Sequence, residues 1–197
     1  TRSVFIIIKE NRKNKVFSMK NKKLLRLVLT ALFMAMICVA TLVIQIPLPA
    51  HGYLNAGDAI VLLGAWLLGP LYGSIAAGIG SALADLITGY SLFAPGTLVI
   101  KALCAFTAAM IFRATGKKLA GRRHPIALRI LSGVIAEIIM VLGYFGYSAL
   151  LLRQGLAAAA DAAGNFVQGF FGVALGTLLC ELLLSNHQIK TFMERMH

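Results

Sequence analysis

Acidic residues are scarce in this chain. Seven Asp and Glu stand against nineteen Lys and Arg, and charged residues of both signs make up only 13% of 197 residues. A soluble domain carries about 25%. With 59% hydrophobic residues beside that scarcity, a water-facing globular surface is excluded and an integral membrane protein remains. Cysteine is also rare. Cys38, Cys104 and Cys180 each sit alone inside an apolar stretch, so neither a disulfide nor a thiolate metal site is expected and all three read as small packing residues. There is no His-Glu-x-x-His, no nucleophile elbow and no phosphate-binding Gly-Lys-Ser/Thr. No catalytic residue, metal or cofactor is therefore expected, and the chain is not read as an enzyme. At roughly 20 residues per span, about six spans fill the length. No soluble nucleotide-binding domain fits beside them.

What is abundant is positive charge, at +12 net. Its placement argues against nucleic acid. Nine basic residues lie between Arg2 and Arg26, six between Arg113 and Arg129, and two in the tail (Lys190 and Arg195), leaving only Lys101 and Arg153 elsewhere. Basic clusters at alternate ends of apolar spans are a topology signal, and no aromatic-interleaved basic face accompanies them. With the basic amino-terminal region in the cytoplasm, six spans return residues 113–126 and the tail to the same side. Both termini are then cytoplasmic, in a cell membrane, with 17 of the 19 basic residues on that side or at its edge.

The expected architecture is an all-α membrane protein, a compact bundle of six transmembrane helices over 19–197. Residues 1–18 mix Phe-Ile-Ile-Ile with Lys and Arg and are set apart as a non-native or disordered extension before Met19. The apolar run 24–46 is read as a retained first helix; the competing reading is a signal peptide over 19–50, but the run is long and lacks a clean cleavage site. Prolines and glycines make 47–57 a loop. Further helices are expected at about 58–68, 72–89, 97–113, 127–152 and 165–185. Gly69-Pro70 forms a tight turn, 153–164 an Ala-rich connection and the tail a short polar end.

Against this apolar background the polar residues stand out. Asp58, Asp85, Lys101 and Glu137 each cost roughly 2.5–3.5 kcal/mol in lipid on insertion scales, and together they approach the whole stability of a domain, about 5–15 kcal/mol. They must face one another, a cavity or a ligand. Helical spacing puts Ser74, Gly78, Ser81 and Asp85 on one face, Thr97, Lys101, Cys104 and Ala108 on a second, Gly133, Glu137, Met140, Tyr144 and Tyr147 on a third, and Asn165, Gln168, Gly172 and Gly176 on a fourth. At 1.5 Å per residue, Asn55, Asp58, Asp85, Lys101, Tyr144, Tyr147, Asn165 and Gln168 fall in the outer half, with Glu137 nearer the middle. This describes a cavity open to the outside.

Several assignments stay open on sequence alone. Asp58 either caps its helix or meets the ligand. Asp85 and Lys101 form an ion pair between neighbouring helices or contact ligand directly. Glu137 has no evident partner, and Glu181 reads as interfacial. His51 and Tyr53 either close over the site or sit in a solvated loop, and Trp66 reads as packing rather than as a stacking platform.

The runs Gly-Tyr-Leu-Asn-Ala-Gly-Asp-Ala (52–59), Leu-Gly-Pro-Leu-Tyr-Gly (68–73), Gly-Ser-Ala-Leu-Ala-Asp-Leu (80–86) and Ala-Pro-Gly-Thr-Leu-Val-Ile-Lys (94–101) resemble the substrate-binding S components of energy-coupling factor (ECF) transporters. The resemblance covers about 19–190. It implies a subunit that captures a vitamin or vitamin precursor from outside and docks on a membrane coupling protein with two ATPases. Ala31 and Ala35 match the family's small-xxx-small docking motif on the first helix, and 47–57 corresponds to its gating loop. Related sequences go with riboflavin, hydroxymethylpyrimidine, thiamine, pyridoxine-type compounds or cobalamin, and no ligand signature maps onto these positions. The alternative is a stand-alone proton-coupled secondary carrier using Glu137 or Asp85, although the inverted repeat of many such carriers is not evident.

Overall fold

In a computed structural model of the protein, the chain is described over residues 2–48, 53–118 and 125–196. Helix α1 runs Arg2–Val43, and a two-stranded antiparallel hairpin follows, β1 Gln45–Pro47 against β2 Tyr53–Asn55 with Ile46 opposite Leu54. Then come α2 Gly57–Leu68, α3 Pro70–Ile87, α4 Ala94–Lys118, α5 Pro125–Gly146, α6 Ala159–Ser185 and α7 His187–Met196. Five of these are long and apolar enough to cross a membrane, and α2 is a shorter apolar helix. The protein is an all-α membrane bundle built on α1–α6.

Several boundaries differ from expectation. α1 starts at Arg2 rather than near residue 24, because no Gly or Pro interrupts 2–43. The loop 47–57 contributes the short hairpin. The last turn expected of the fifth helix is a π-helical segment, Tyr147–Leu151, with the Leu152 amide donating to the Tyr147 carbonyl at 3.1 Å. The Ala-rich connection is mostly helical: a 3-10 turn, Gly155–Ala158, leads directly into α6 at Ala159. Alanine favours helix over coil, and the chain turns just before the Ala run, at Arg153 and Gly155, both at φ +57°. The polar tail is α7.

Helix α2 explains how a short element belongs to a membrane bundle. Its 12 residues span only about 18 Å, yet every one but Ile60 is buried. It packs against α1, α3, α4 and α6, while α3, α4, α5 and α6 follow one another around it and α1 lies on α3. Lipid does not surround it, so it need not match the bilayer. Gly69, at φ +85°, lets the chain reverse in one residue, and Pro70 starts α3 where its missing N–H is harmless.

Close helix approach depends on small residues. A Cβ at Gly78 would lie 2.6 Å from the Leu98 carbonyl oxygen of α4, and one at Gly80 the same distance from the Met34 carbonyl oxygen of α1. The exterior is apolar, with Leu98, Val99, Leu103, Phe106, Ile138 and Leu142 exposed. The interior carries Asp58, Asp85, Lys101, Glu137 and Gln168. That distribution inverts a soluble protein's, as lipid requires.

Candidate functional site

The hairpin lies at the end of the bundle where α1, α3 and α5 finish and α2, α4 and α6 begin. A cavity opens there, with about 570 Å³ of empty space counted out to its mouth. Every helix from α1 to α6 except α2 contributes to its lining: Thr41, Ser81 and Asp85, Thr97 and Lys101, Tyr144 and Phe145, and Asp161, Asn165 and Gln168. β2 adds Tyr53 and Asn55.

The floor is a buried polar chain. Lys101 Nζ donates to Asp58 Oδ1, and both side chains are nearly sealed, at 3% and 2% exposed. Asp58 Oδ2 accepts from Gln168 Nε2 at 2.6 Å. Gln168 Oε1 accepts in turn from the Asn55 backbone N–H at 2.7 Å, and Asn55 Oδ1 accepts from the Gly57 N–H at 2.8 Å. Lys101 also lies 3.0 Å from Met140 Sδ and 5.5 Å from the centroid of the Tyr144 ring. A buried pair holds only when its remaining lone pairs and protons find partners, and here the hairpin strand, α2, α4 and α6 supply them together.

Two expectations change here. Lys101 pairs with Asp58 on α2, not with Asp85 on the adjacent α3. Asp58 lies in the first turn of α2 but makes no side-chain cap; Asn55 covers the Gly57 N–H instead, leaving the carboxylate for Lys101 and Gln168. Asp85 accepts at Oδ1 from the Tyr53 hydroxyl, at 2.5 Å. Burial, and then the adjacent Asp85 charge, push the Tyr53 phenol far above its ordinary value, so it remains a donor.

Tyr53 begins an aromatic rim. Its ring centroid is 4.6 Å from that of Tyr90; Phe93 stands 6.4 Å from Tyr90 and 6.4 Å from Tyr147. Tyr144 donates to Thr97 Oγ1 at 3.0 Å. Tyr147 belongs to the rim's support rather than the lining: its hydroxyl donates to the Leu92 carbonyl at 2.8 Å, bracing the α3–α4 connection. Glu137 also stands behind the wall. It lies at the base of an apolar groove between α5 and α6, and its Oε2 has no hydrogen-bond partner among the described residues. His51 lies outside the described residues.

Asp161, buried at 6% exposure, lines the cavity and was not singled out in the sequence. Its signal was present: Asp161, Asn165 and Gln168 share one helical face at spacings of four and three. Phe93, Phe145 and Ser148 are further lining residues without a sequence signal.

At the opposite end, Trp66 is buried as a packing residue and donates to Ser132 Oγ at 3.1 Å. Glu181 is more than interfacial. It accepts from Arg129 Nη1, and the Arg129 guanidinium sits 5.2 Å from the Phe112 ring centroid. On α1, Ala31 and Ala35 are exposed, turned away from the bundle.

The comparisons with known proteins agree with this architecture. A family model described as the S component of an ECF-type riboflavin transporter matches residues 21–185. A Pyrococcus woesei protein, described as an uncharacterized protein in a gap 3′ region, is 39% identical over 141 residues, covering 71% of this chain and 88% of that protein. The solved S component of a bacterial ECF transporter superposes with a TM-score of 0.66 at 20% identity, over 83% of this chain and 97% of that one. A biotin S component from an ECF-type transporter gives 0.53 at 20% identity, over 82% and 93%. At that identity the two structures speak for the fold, and the family match over most of the chain carries the assignment. The chain belongs to the ECF-type S component family, the multi-pass membrane subunits that bind substrate for ECF importers.

Proposed function

We propose that this subunit captures a vitamin or vitamin precursor from outside the cell in the cavity beneath the hairpin. Asn55, Asp58, Asp85, Lys101, Tyr144, Asn165 and Gln168 form or support the binding surface. Glu137 and Tyr147 act from behind it, and the 47–57 segment, with His51 and Tyr53, serves as the gate. The observation that carries this reading is the junction of a cavity lined from five helices and β2 with a buried, hydrogen-bonded Lys101–Asp58–Gln168 floor, a polar interior that lipid would not tolerate without a purpose.

The hairpin end is the outer one. Arg153 is the only cation on its loops among the described residues, while the basic clusters gather at the other end, as the positive-inside rule requires of a cytoplasmic face. Both termini are then cytoplasmic in the cell membrane. The exposed Ala31 and Ala35 form a small-residue face on which a coupling protein's helix can approach closely. That protein and two ATPases power release inward.

Equilibrium binding by the purified subunit tests the reading, beginning with riboflavin because the family's description names it, followed by uptake with and without the ATPase partners. Binding together with ATPase-dependent uptake is expected. Uptake by the lone subunit would favour a secondary carrier.

A further inference from the structure

Glu137 is an interior carboxyl that the cavity's hydrogen-bond network leaves out. It is only 6% exposed, and its Oε2 has no hydrogen-bond partner among the described residues. The charges that face it are Asp58 on α2 and Lys101 on α4, which pair with each other. Gln168 on α6 is committed as well, its Nε2 donating to Asp58 Oδ2 and to Met140 Sδ. A carboxyl oxygen withdrawn from both water and donors is costly. Its open direction is toward lipid. Oε2 lies 3.3 Å from the point where a Cβ at Gly169 would stand, and Glu137 and Gly169 both line a groove between α5 and α6. The other walls are apolar, with Val134 and Ile138 on α5 and Phe166 and Phe170 on α6, all four exposed on the bundle's exterior.

In a membrane this groove meets acyl chains. Glu137 lies about 18 Å along α5 from Pro125, well inside a hydrocarbon layer of ~30 Å. A phospholipid keeps its headgroup at the interface, so its chain can fill the groove but brings Glu137 no donor. We propose that the α5–α6 groove is a second binding site, for a membrane-dissolved primary alkylamine, with the chain along the apolar walls and the ammonium on Glu137. Charge decides the head group. Asp58 and Glu137 face one ammonium between them, that of Lys101, so a second ammonium balances the set and makes a charge-assisted hydrogen bond. An alcohol brings a donor without the charge, and a fatty acid is repelled. Phe166 and Phe170 offer ring faces to the cation on its way in. The site is separate from the cavity beneath the hairpin, whose lining does not include Glu137, and the proposal does not depend on what that cavity holds.

The test uses the full-length protein in phosphatidylcholine vesicles, a lipid with neither a carboxyl nor a primary amine, treated with dodecylamine and diisopropylcarbodiimide. The carbodiimide takes up the carboxyl as an O-acylisourea. The nitrogen of a seated amine then attacks the acyl carbon and loses a proton, and the urea leaves with the oxygen. The ligand ends as an amide on Glu137, located by peptide mass spectrometry. Coupling there should saturate with dodecylamine. N,N-dimethyldodecylamine, whose protonated form keeps an N–H but forms no amide, should compete about tenfold or more better than dodecanol, the effect of one charge-assisted contact. Val134→Trp fills the groove from its lipid side and should cut coupling at Glu137 about tenfold, leaving coupling at other carboxyls unchanged. The proposal is overturned if Glu137 stays uncoupled, if dodecanol competes equally well, or if Val134→Trp leaves the coupling intact. Should Val134→Trp fail to fold, the ranking of the two competitors on the parent protein decides.

Discussion

Among the described residues, Lys101–Asp58 and Arg129–Glu181 are ion pairs that join helices, one near each end of the bundle, and they are built differently. Lys101–Asp58 ties α4 to α2 with both side chains nearly sealed, and Gln168 completes the carboxylate's hydrogen bonding. Arg129–Glu181 ties α5 to α6 with Glu181 at 36% exposure, and Arg129 Nε has no hydrogen-bond partner among the described residues. The first pair is part of a continuous network reaching the hairpin through Asn55. The second is a local clasp beside Phe112. Similar charges thus serve different ends: buried and shared, they position a cavity floor; with the cation buried and the carboxylate partly solvated, they pin two helices.

The strongest way to break this contrast is Lys101→Met, which leaves Asp58 charged and unpaired in the interior. A loss of about 3–5 kcal/mol is expected, read from unfolding in mild detergent. Adding Asp58→Leu should recover much of it, since no lone charge remains. If single and double variants unfold alike, the two groups are not coupled.

A smaller effect is expected from crowding the same floor. A Cβ at Gly172 already falls 2.8 Å from Asp58 Cβ, whereas one at Gly116, toward the opposite end, meets nothing within 4 Å. Gly172→Val should cost about 1–3 kcal/mol by overpacking and weaken ligand binding. Gly116→Val should do neither, and equal damage at both sites would remove the distinction.

Next comes the face turned toward a partner. Ala31→Trp and Ala35→Trp alter exposed positions, so stability and ligand binding should stay within about 0.5 kcal/mol of the parent, while ATP-driven uptake is lost. Loss of binding along with uptake would assign those alanines to the bundle's own packing.

The smallest effect belongs to the second ion pair. Glu181→Gln should cost no more than about 1 kcal/mol, given its solvent screening, with the difference shrinking further in high salt. A cost matching that of Lys101→Met would mean the two pairs are equivalent after all.

The helical faces carrying Asp85, Lys101, Glu137 and Gln168 were legible in the sequence because periodicity fixes which side chains share a side. Their pairing was not. Lys101 lies sixteen residues from Asp85 and forty-three from Asp58, and only the burial of α2 among α1, α3, α4 and α6 brings the more distant carboxylate to it. Asp161 was missed for a related reason: an Ala- and Gly-bearing stretch reads as a connection until α6 is seen to begin at Ala159.

Composition and spacing by themselves determined a membrane protein, a bundle of six apolar helices and a polar interior, because lipid leaves few alternatives for where such residues go. Tertiary structure alone decided that Asp58 belongs to Lys101, that Tyr53 reaches over to Asp85, and that Tyr147 and Glu137 stand behind the cavity wall. Those outcomes depend on how far one helix slides and turns against another, a geometry set by contacts such as Gly78 on Leu98 and Gly80 on Met34 and invisible in the residues of any single helix.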